Sequence, residues 1–147
     1  MKQTKKIDFN EFDLIFLGAP CHDTDLAKPL IRILRKLPES PKFKIAGFFT
    51  HSTTPPEGNT KNKSLYDDWA GNCSKSFEKM KQEKNAEFLG FFRCQRAPSP
   101  GIETFIHQTI IKYEDEWQDY IKGTKNHPDQ NDLENAKKFA AEILQQC

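Results

Sequence analysis

Three short apolar runs are spaced along the chain, and a segment with helical periodicity follows each of them. The runs are FDLIFLG from Phe12, FKIAGFF from Phe43 and AEFLGFF from Ala86. None alternates strictly between apolar and polar residues, which is typical of strands that helices cover on both faces of a parallel sheet. The pattern predicts an α/β domain with three parallel strands in chain order and helices on both faces.

Residues between the runs repeat at helical spacing, which predicts two helices there. The first is expected to begin at a cap, Thr24 or Asp25, and to end before Pro38. Its buried stripe is predicted to be Leu26, Leu30, Ile33, Leu34 and Leu37. The second is expected to close at Asn85 in a left-handed conformation, and its predicted stripe is Trp69, Cys73, Phe77 and Met80.

A last helix is predicted in PDQNDLENAKKFAAEIL, with Asp129 or Asn131 as its cap. Its predicted buried stripe is Leu133, Ala136, Ala140, Ile143 and Leu144. Residues 96–130 form a long connection between the third strand and this helix. Within it, a short helix that ends before Gly123 is predicted from Trp117, Tyr120 and Ile121.

Composition restricts the class of protein. The length of 147 residues suits one domain, 1–147. Lys and Arg number 22 and Asp and Glu number 21, so the formal net charge of +1 gives no case for a nucleic-acid partner. No apolar run is long enough to cross a bilayer, and no secretory apolar segment follows the basic start MKQTKKIDFN. We therefore expect a cytoplasmic protein that binds neither nucleic acid nor membrane.

The thiols and imidazoles give only weak catalytic signals. Four cysteines occur without a CxxC pair, which disfavours a zinc site and predicts free thiols. Cys21 and His22 are adjacent and suggest a nucleophile with its base, but neighbouring side chains rarely point together. His51 and His107 lack the carboxylate or thiol spacing of a metal site, so both are expected to be ordinary polar histidines.

The residues that follow each predicted strand are small, polar or proline. The three segments are GAPCHDT, THSTTPP and CQRAP. In open α/β sheets, ligands bind at the carboxyl ends of the strands, so these segments are the candidate ligand loops. A further stretch, EGNT from Glu57, looks faintly like a phosphate loop, but no strand directly precedes it and we do not predict a phosphate site there.

At this point the sequence resembles a family. The segments DFNEFDLIFLGAP, KIAGFFTH, AEFLGFFRCQ and HPDQNDLENAKKFA together, in order, resemble the later portion of flavodoxin-like proteins. The resemblance implies a three-layer parallel sheet and two loops that flank the flavin ring of FMN, the cofactor of electron transfer in this family. By that resemblance, the cofactor-binding residues are Ala19, Pro20, Cys21, His22, Asp23, Thr50, His51, Ser52 and Thr53.

The chain departs from the family at its beginning. Flavodoxins begin with a strand, a phosphate-binding loop, a helix and a second strand, and bind FMN at the junction of strands 1 and 3. The ten residues MKQTKKIDFN are too few for a parallel crossover, so we expect a partial domain of about three strands. FMN is then expected to bind weakly or not at all, because the helix N-terminus that holds its phosphate is absent.

Three functions follow as alternatives. The first is an FMN-associated electron-transfer protein, or a fragment or subunit of one, that works with a redox partner. The second is a non-enzymatic interaction module, because the first strand would become an exposed apolar edge that pairs with a partner chain or a second copy. The third, a thiol or hydrolytic enzyme, is the least favoured.

Overall fold

The computed structural model describes residues 8–56 and 60–147, and it gives only the backbone of residues 60–62. The stretch from Glu57 lies almost wholly outside the described residues. The strands are β1 (Leu14–His22), β2 (Asp25–Leu26), β3 (Lys44–His51) and β4 (Phe88–Gln95). They form one sheet in the order β2-β1-β3-β4. The pairs β1–β3 and β3–β4 are parallel, which confirms three parallel strands in chain order, and the short antiparallel β2 was not predicted.

Six α-helices accompany the sheet in the described part of the chain, besides a 3-10 turn at Phe9–Glu11. They are α1 (Lys28–Lys36), α2 (Thr60–Trp69), α3 (Gly71–Lys84), α4 (Pro100–Thr109), α5 (Glu114–Thr124) and α6 (Gln130–Leu144). Each of these helices is too short or too polar to cross a lipid bilayer.

The main core lies on the face of the sheet that α1 and α3 cover. Ile45 and Phe49 of β3 point into it and are 0% and 1% exposed. Gly47 lies between them, beneath the Phe77 ring of α3. A Cβ atom at Gly47 would lie 2.8 Å from that buried ring, so only glycine lets α3 pack this closely on the sheet.

The opposite face is covered unevenly. Over β4, the ring of Phe139 in α6 stacks on Phe92 with centroids 5.9 Å apart, so the sheet has helices on both faces as predicted. Toward β1 this face is only partly covered by helices, and Phe16 and Phe48 are therefore 38% and 43% exposed. The Phe48 ring lies across Gly18, where a Cβ would stand only 2.2 Å from it.

The predicted boundaries of the first two helices were partly wrong. Ala27, not Thr24 or Asp25, precedes α1, because those two residues belong to a hairpin with β1. Leu26 is buried but lies in β2. The second predicted stripe crosses a break, since Trp69 ends α2 and is 40% exposed. Cys73, Phe77 and Met80 are buried in α3, and Asn85 closes it with φ 47° as expected.

Later in the chain, α6 begins as predicted. Asp129 caps it, and Asp132 completes a reciprocal capping box. Ile143 is buried, but Leu133 and Leu144 are 49% and 62% exposed, so the predicted stripe is too wide. The remaining two members, Ala136 and Ala140, are half-buried.

The connection before α6 holds two helices rather than one. α5 contains the buried Trp117 and Tyr120 as predicted, but Gly123 lies inside its last turn. α4 was not predicted at all. These two helices stand beside the carboxyl ends of the strands and make one wall of the candidate site.

Candidate functional site

The candidate site begins at a tight hairpin at the end of β1. Cys21 pairs with Leu26 and His22 with Asp25, so the strand continues through residues expected to form a loop. The turn is only Asp23 and Thr24, with φ angles of 51° and 70°, as a two-residue I′ hairpin requires. The expected loop over residues 19–23 was therefore wrong for its first four residues.

Helix α3 holds this turn in place. The side chain of Asn72 donates from Nδ2 to Thr24 Oγ1 at 3.3 Å. Ser76 Oγ donates to Asp25 Oδ1 at 2.7 Å. A β-branched residue such as Thr24 is rarely found at positive φ, so these contacts help to stabilise an unfavourable backbone conformation.

The parallel register brings three segments to one edge of the sheet. Pro20 of β1 is level with Thr50 of β3, and Thr50 is level with Cys94 of β4. Whatever follows each strand therefore emerges side by side. This places the turn after His22, the loop after His51 and the segment from Arg96 around a common space.

A cavity of about 570 Å³ occupies that space, which is within the range of small-molecule sites. Its polar lining residues are His22, Asp23, Thr24, Ser52, Thr53, Thr54, Arg96, Glu116, Asp119 and Tyr120. The rest of its lining is Cys21, Leu65, Trp69, Ile102, Phe105, Ile106, Ile110 and Ile111.

Five of the nine predicted cofactor-binding residues line this cavity: Cys21, His22, Asp23, Ser52 and Thr53. The other four do not line it. Ala19, Pro20 and Thr50 belong to the β1–β3 ladder. His51 is 2% exposed, its ring meets the edge of Tyr66, and its Nδ1 lies 3.2 Å from the Thr53 carbonyl. The buried His51 ring thus contacts the second loop from the core and does not face the cavity.

The far wall of the cavity was not predicted from the sequence. α4 contributes Ile102, Phe105 and Ile106, and the first two are 41% and 47% exposed. Their spacing of i, i+3 and i+4 is a helical signal that could have been found in the sequence. Its significance for a site came only from the fold, which turns this apolar face toward the sheet edge.

Arg96 is the most informative polar group of the lining. Its Nε is buried, and no atom in the described part of the chain hydrogen-bonds to it. A buried donor without a partner is costly, by about 1–3 kcal/mol. The guanidinium therefore stands ready to donate to a ligand in the cavity.

Tyr120 ties α5 to the second loop. Its hydroxyl donates to the Ser52 carbonyl at 2.5 Å. Burial raises the pKa of Tyr120 to about 12; the nearby Glu103 charge adds to this, and Arg96 opposes it. The neutral phenol therefore remains a donor across the whole physiological range, and the Ser52 loop stays fixed at the cavity.

The histidines and cysteines give no catalytic pair at this edge. All four cysteines are free thiols, as expected. The thiol of Cys21 donates to the Trp69 carbonyl at 3.3 Å. His22 Nδ1 instead lies 3.2 Å from Asp23 Oδ2, so the adjacent thiol and imidazole do not act together.

Two other histidine environments also have structural explanations. His107 stacks on Trp117 with ring centroids 4.3 Å apart. His127 lies with Asp129 and Asp132 in a cluster whose ligand atoms are within 4.8 Å of one another. Its two carboxylates already form the capping box of α6, and His127 pairs with Asp132, so this cluster needs no metal.

Comparison with known proteins adds no family: no protein-family model matches the chain, and no curated protein is similar to it at a significant level.

The Tyr120 hydroxyl predicts a pH dependence of stability. Its folded pKa of about 12 exceeds the usual value of about 10, so its contribution is complete below pH 10 and is lost as pH rises through 12. At neutral pH, Tyr120→Phe should cost about 1 kcal/mol of unfolding free energy through the lost hydrogen bond. Between about pH 10 and 12, wild type should lose roughly 2–3 kcal/mol more stability than this variant.

Urea unfolding at a series of pH values measures both effects. Tyr113→Phe is the matched control, because Tyr113 is 76% exposed. If the unfolding free energies of wild type and Tyr120→Phe fall equally with pH above pH 10, the Tyr120 hydroxyl is not a buried hydrogen-bond donor.

Proposed function

We propose that the cavity binds the flat ring of a flavin, and that the chain serves in FMN-associated electron transfer as a flavodoxin-like protein or as part of one. The observation that carries this proposal is the meeting of two segments that the resemblance to flavodoxin-like proteins implies would flank such a ring. Cys21, His22 and Asp23 come from one, and Ser52 and Thr53 come from the other. When bound, the flavin supplies the electron-transfer chemistry, and the chain supplies the site.

The apolar lining supports a planar aromatic ligand. Trp69 and Phe105 line the cavity from two helices and are 40% and 47% exposed. Aromatic side chains of this kind stack on flat rings, and such contacts contribute about 0.5–1.5 kcal/mol beyond the burial of area. Ile106 and Ile110 extend the apolar wall and would exclude water from one face of a bound ring.

The polar lining supports a ring that carries carbonyl groups. Arg96 offers a buried Nε–H that has no acceptor within the described part of the chain. A ring carbonyl would satisfy the buried Nε and would fix the orientation of the ligand. Thr24 and Thr53, which also line the cavity, each add a hydroxyl group.

The charges of the lining disfavour a phosphate in the cavity. The carboxylates of Asp23, Glu116 and Asp119 outnumber the single arginine, Arg96. A phosphate dianion placed among them would be repelled. Recognition by this cavity should therefore rest on the ring, and FMN should gain little over riboflavin.

Fluorescence titration of the reduced chain with FMN and with riboflavin tests the proposal. We expect both to bind with dissociation constants weaker than micromolar and within a few-fold of each other. Arg96→Gln should weaken both by on the order of tenfold, because a charge-assisted hydrogen bond contributes about 1.5–3 kcal/mol. Arg35→Gln, at an exposed position in α1, is the matched control and should change neither.

Two outcomes would contradict this account. If Arg96→Gln leaves the dissociation constants of FMN and riboflavin unchanged, neither ligand binds in this cavity. Submicromolar FMN binding with weak riboflavin binding would show that the phosphate, and not the ring, is recognised.

A second candidate function, a module that pairs through its first strand, is favoured by the outer edge of β1. Since Asp13 directs its carbonyl toward β3, alternation directs the backbone groups of Leu14, Phe16 and Gly18 away from it. β2 pairs only with residues 21 and 22, so no other described strand covers this stretch. The exposed rings of Phe16 and Phe48 lie on one face beside it. An uncovered apolar edge of this kind invites pairing with a partner or a second copy.

Phe16→Lys tests this alternative more cleanly than Ile15→Lys would, since Ile15 packs against the main core. If β1 pairs two copies, wild type should form dimers in sedimentation experiments, whereas Phe16→Lys should stay monomeric with an unchanged circular dichroism spectrum. Tyr113→Lys, at another exposed aromatic position, should still dimerise. A wild-type monomer whose β1 amides exchange quickly would rule the alternative out.

A further inference from the structure

The face of α3 that docks on the hairpin carries a cysteine between its two polar contacts. Asn72 bonds to Thr24 and Ser76 bonds to Asp25, which holds this face against the turn. Cys73 lies between them in the first turn of the helix and is 0% exposed. Its position therefore depends on the same contacts that fix the hairpin.

Cys21 meets Cys73 from the strand side. The thiol of Cys21 lies 3.3 Å from the Trp69 carbonyl, at the junction where α2 passes into α3. Cys21 packs against the core cluster to which Cys73 belongs, and the two thiols interact there. Cys21 is half-buried and lines the cavity, whereas Cys73 is shut off behind it. The Cys21 thiol is therefore accessible to a molecule in the cavity, whereas the Cys73 thiol is not.

We propose that Cys21 and Cys73 form a redox-active dithiol, in which a hydroperoxide that enters the cavity oxidises Cys21 and Cys73 then closes a disulfide with it. This modification site does not depend on a bound flavin. It uses a pair of residues that are 52 positions apart in the sequence.

The surroundings of Cys21 favour its thiolate. Its interaction with the Cys73 thiol lowers the pKa of Cys21 most, and the positive charge of Arg96 also lowers it. Burial and the carboxylates of Asp25 and Asp23 act in the opposite direction but do not cancel the effect. The same interaction raises the pKa of Cys73. Because Cys21 lines the cavity and Cys73 is 0% exposed, Cys21 is the attacking sulfur and Cys73 the resolving one.

The chemistry balances in two steps. The Cys21 thiolate attacks one peroxide oxygen, the O–O bond breaks, and an alcohol, or water in the case of hydrogen peroxide, leaves with a proton. Cys21 is then a sulfenic acid. The Cys73 sulfur attacks that sulfur, an S–S bond forms, the S–O bond breaks, and the hydroxyl leaves as water with the proton of Cys73. Two electrons pass from the thiols to the peroxide.

The other two cysteines serve as internal controls. Burial raises the pKa of Cys94 to about 11, so little of its thiolate exists at neutral pH. Cys147 is the exposed last residue of the chain, and its thiol lies near the Ile143 carbonyl. Neither offers a second thiol in contact.

Timed oxidation of the full, reduced chain tests the proposal. The chain is treated with hydrogen peroxide at neutral pH, quenched with N-ethylmaleimide and mapped by mass spectrometry. We expect a Cys21–Cys73 disulfide that dithiothreitol reverses. Cys21 should be consumed on the order of tenfold faster than Cys94, since a larger thiolate fraction is partly offset by lower nucleophilicity.

Cys73→Ser provides the second measurement. In that variant, oxidation should stop at a Cys21 sulfenic acid that dimedone traps, whereas Cys94→Ser should still form the disulfide. If Cys21 and Cys94 in wild type are consumed at equal rates, or if Cys21 is oxidised without any bridge to Cys73, the proposal is overturned.

Discussion

Parallel pairing of β1, β3 and β4 is the constraint on which the rest of the molecule depends. Because parallel strands end at the same edge, the segments after His22, His51 and Gln95 emerge together. The chain then closes this edge with the apolar side chains of α4 and with Glu116, Asp119 and Tyr120 of α5. The cavity is thus a direct result of strand direction.

Close packing on the main face supports that edge. Gly47 lets the Phe77 ring of α3 lie against the sheet, and α3 in turn bonds to the hairpin through Asn72 and Ser76. The hairpin residues line the cavity, so one helix links the core to the site. In the opposite wall, Tyr120 links α5 to the second loop through its hydrogen bond to the Ser52 carbonyl.

The sequence was informative where a pattern is local. Apolar runs identified the three long strands, and Asp129 and Asn85 marked helix ends through well-known capping chemistry. The two-residue turn after His22 escaped prediction, because Asp-Thr seldom adopts two positive φ angles without the support that α3 gives it. Tertiary contacts decided that conformation.

The site was predictable only in part, for a related reason. Strand ends indicated the edge and five of the lining residues, but His51 turned inward because strand alternation places it on the core face. The wall from α4 and the buried Nε of Arg96 could not be assigned to a site without the fold. The contact between Cys21 and Cys73 likewise joins distant parts of the chain.

The central claim is that a flat ring occupies the cavity at the carboxyl edge of the sheet. Amide chemical-shift mapping by NMR with added riboflavin tests it most directly. The account predicts the largest shifts at Thr24, Ser52 and Arg96 and at the Trp69 indole N–H, and little change at Phe16 on the exposed sheet face. Shifts concentrated around Phe16, or none at any ligand concentration, would contradict it.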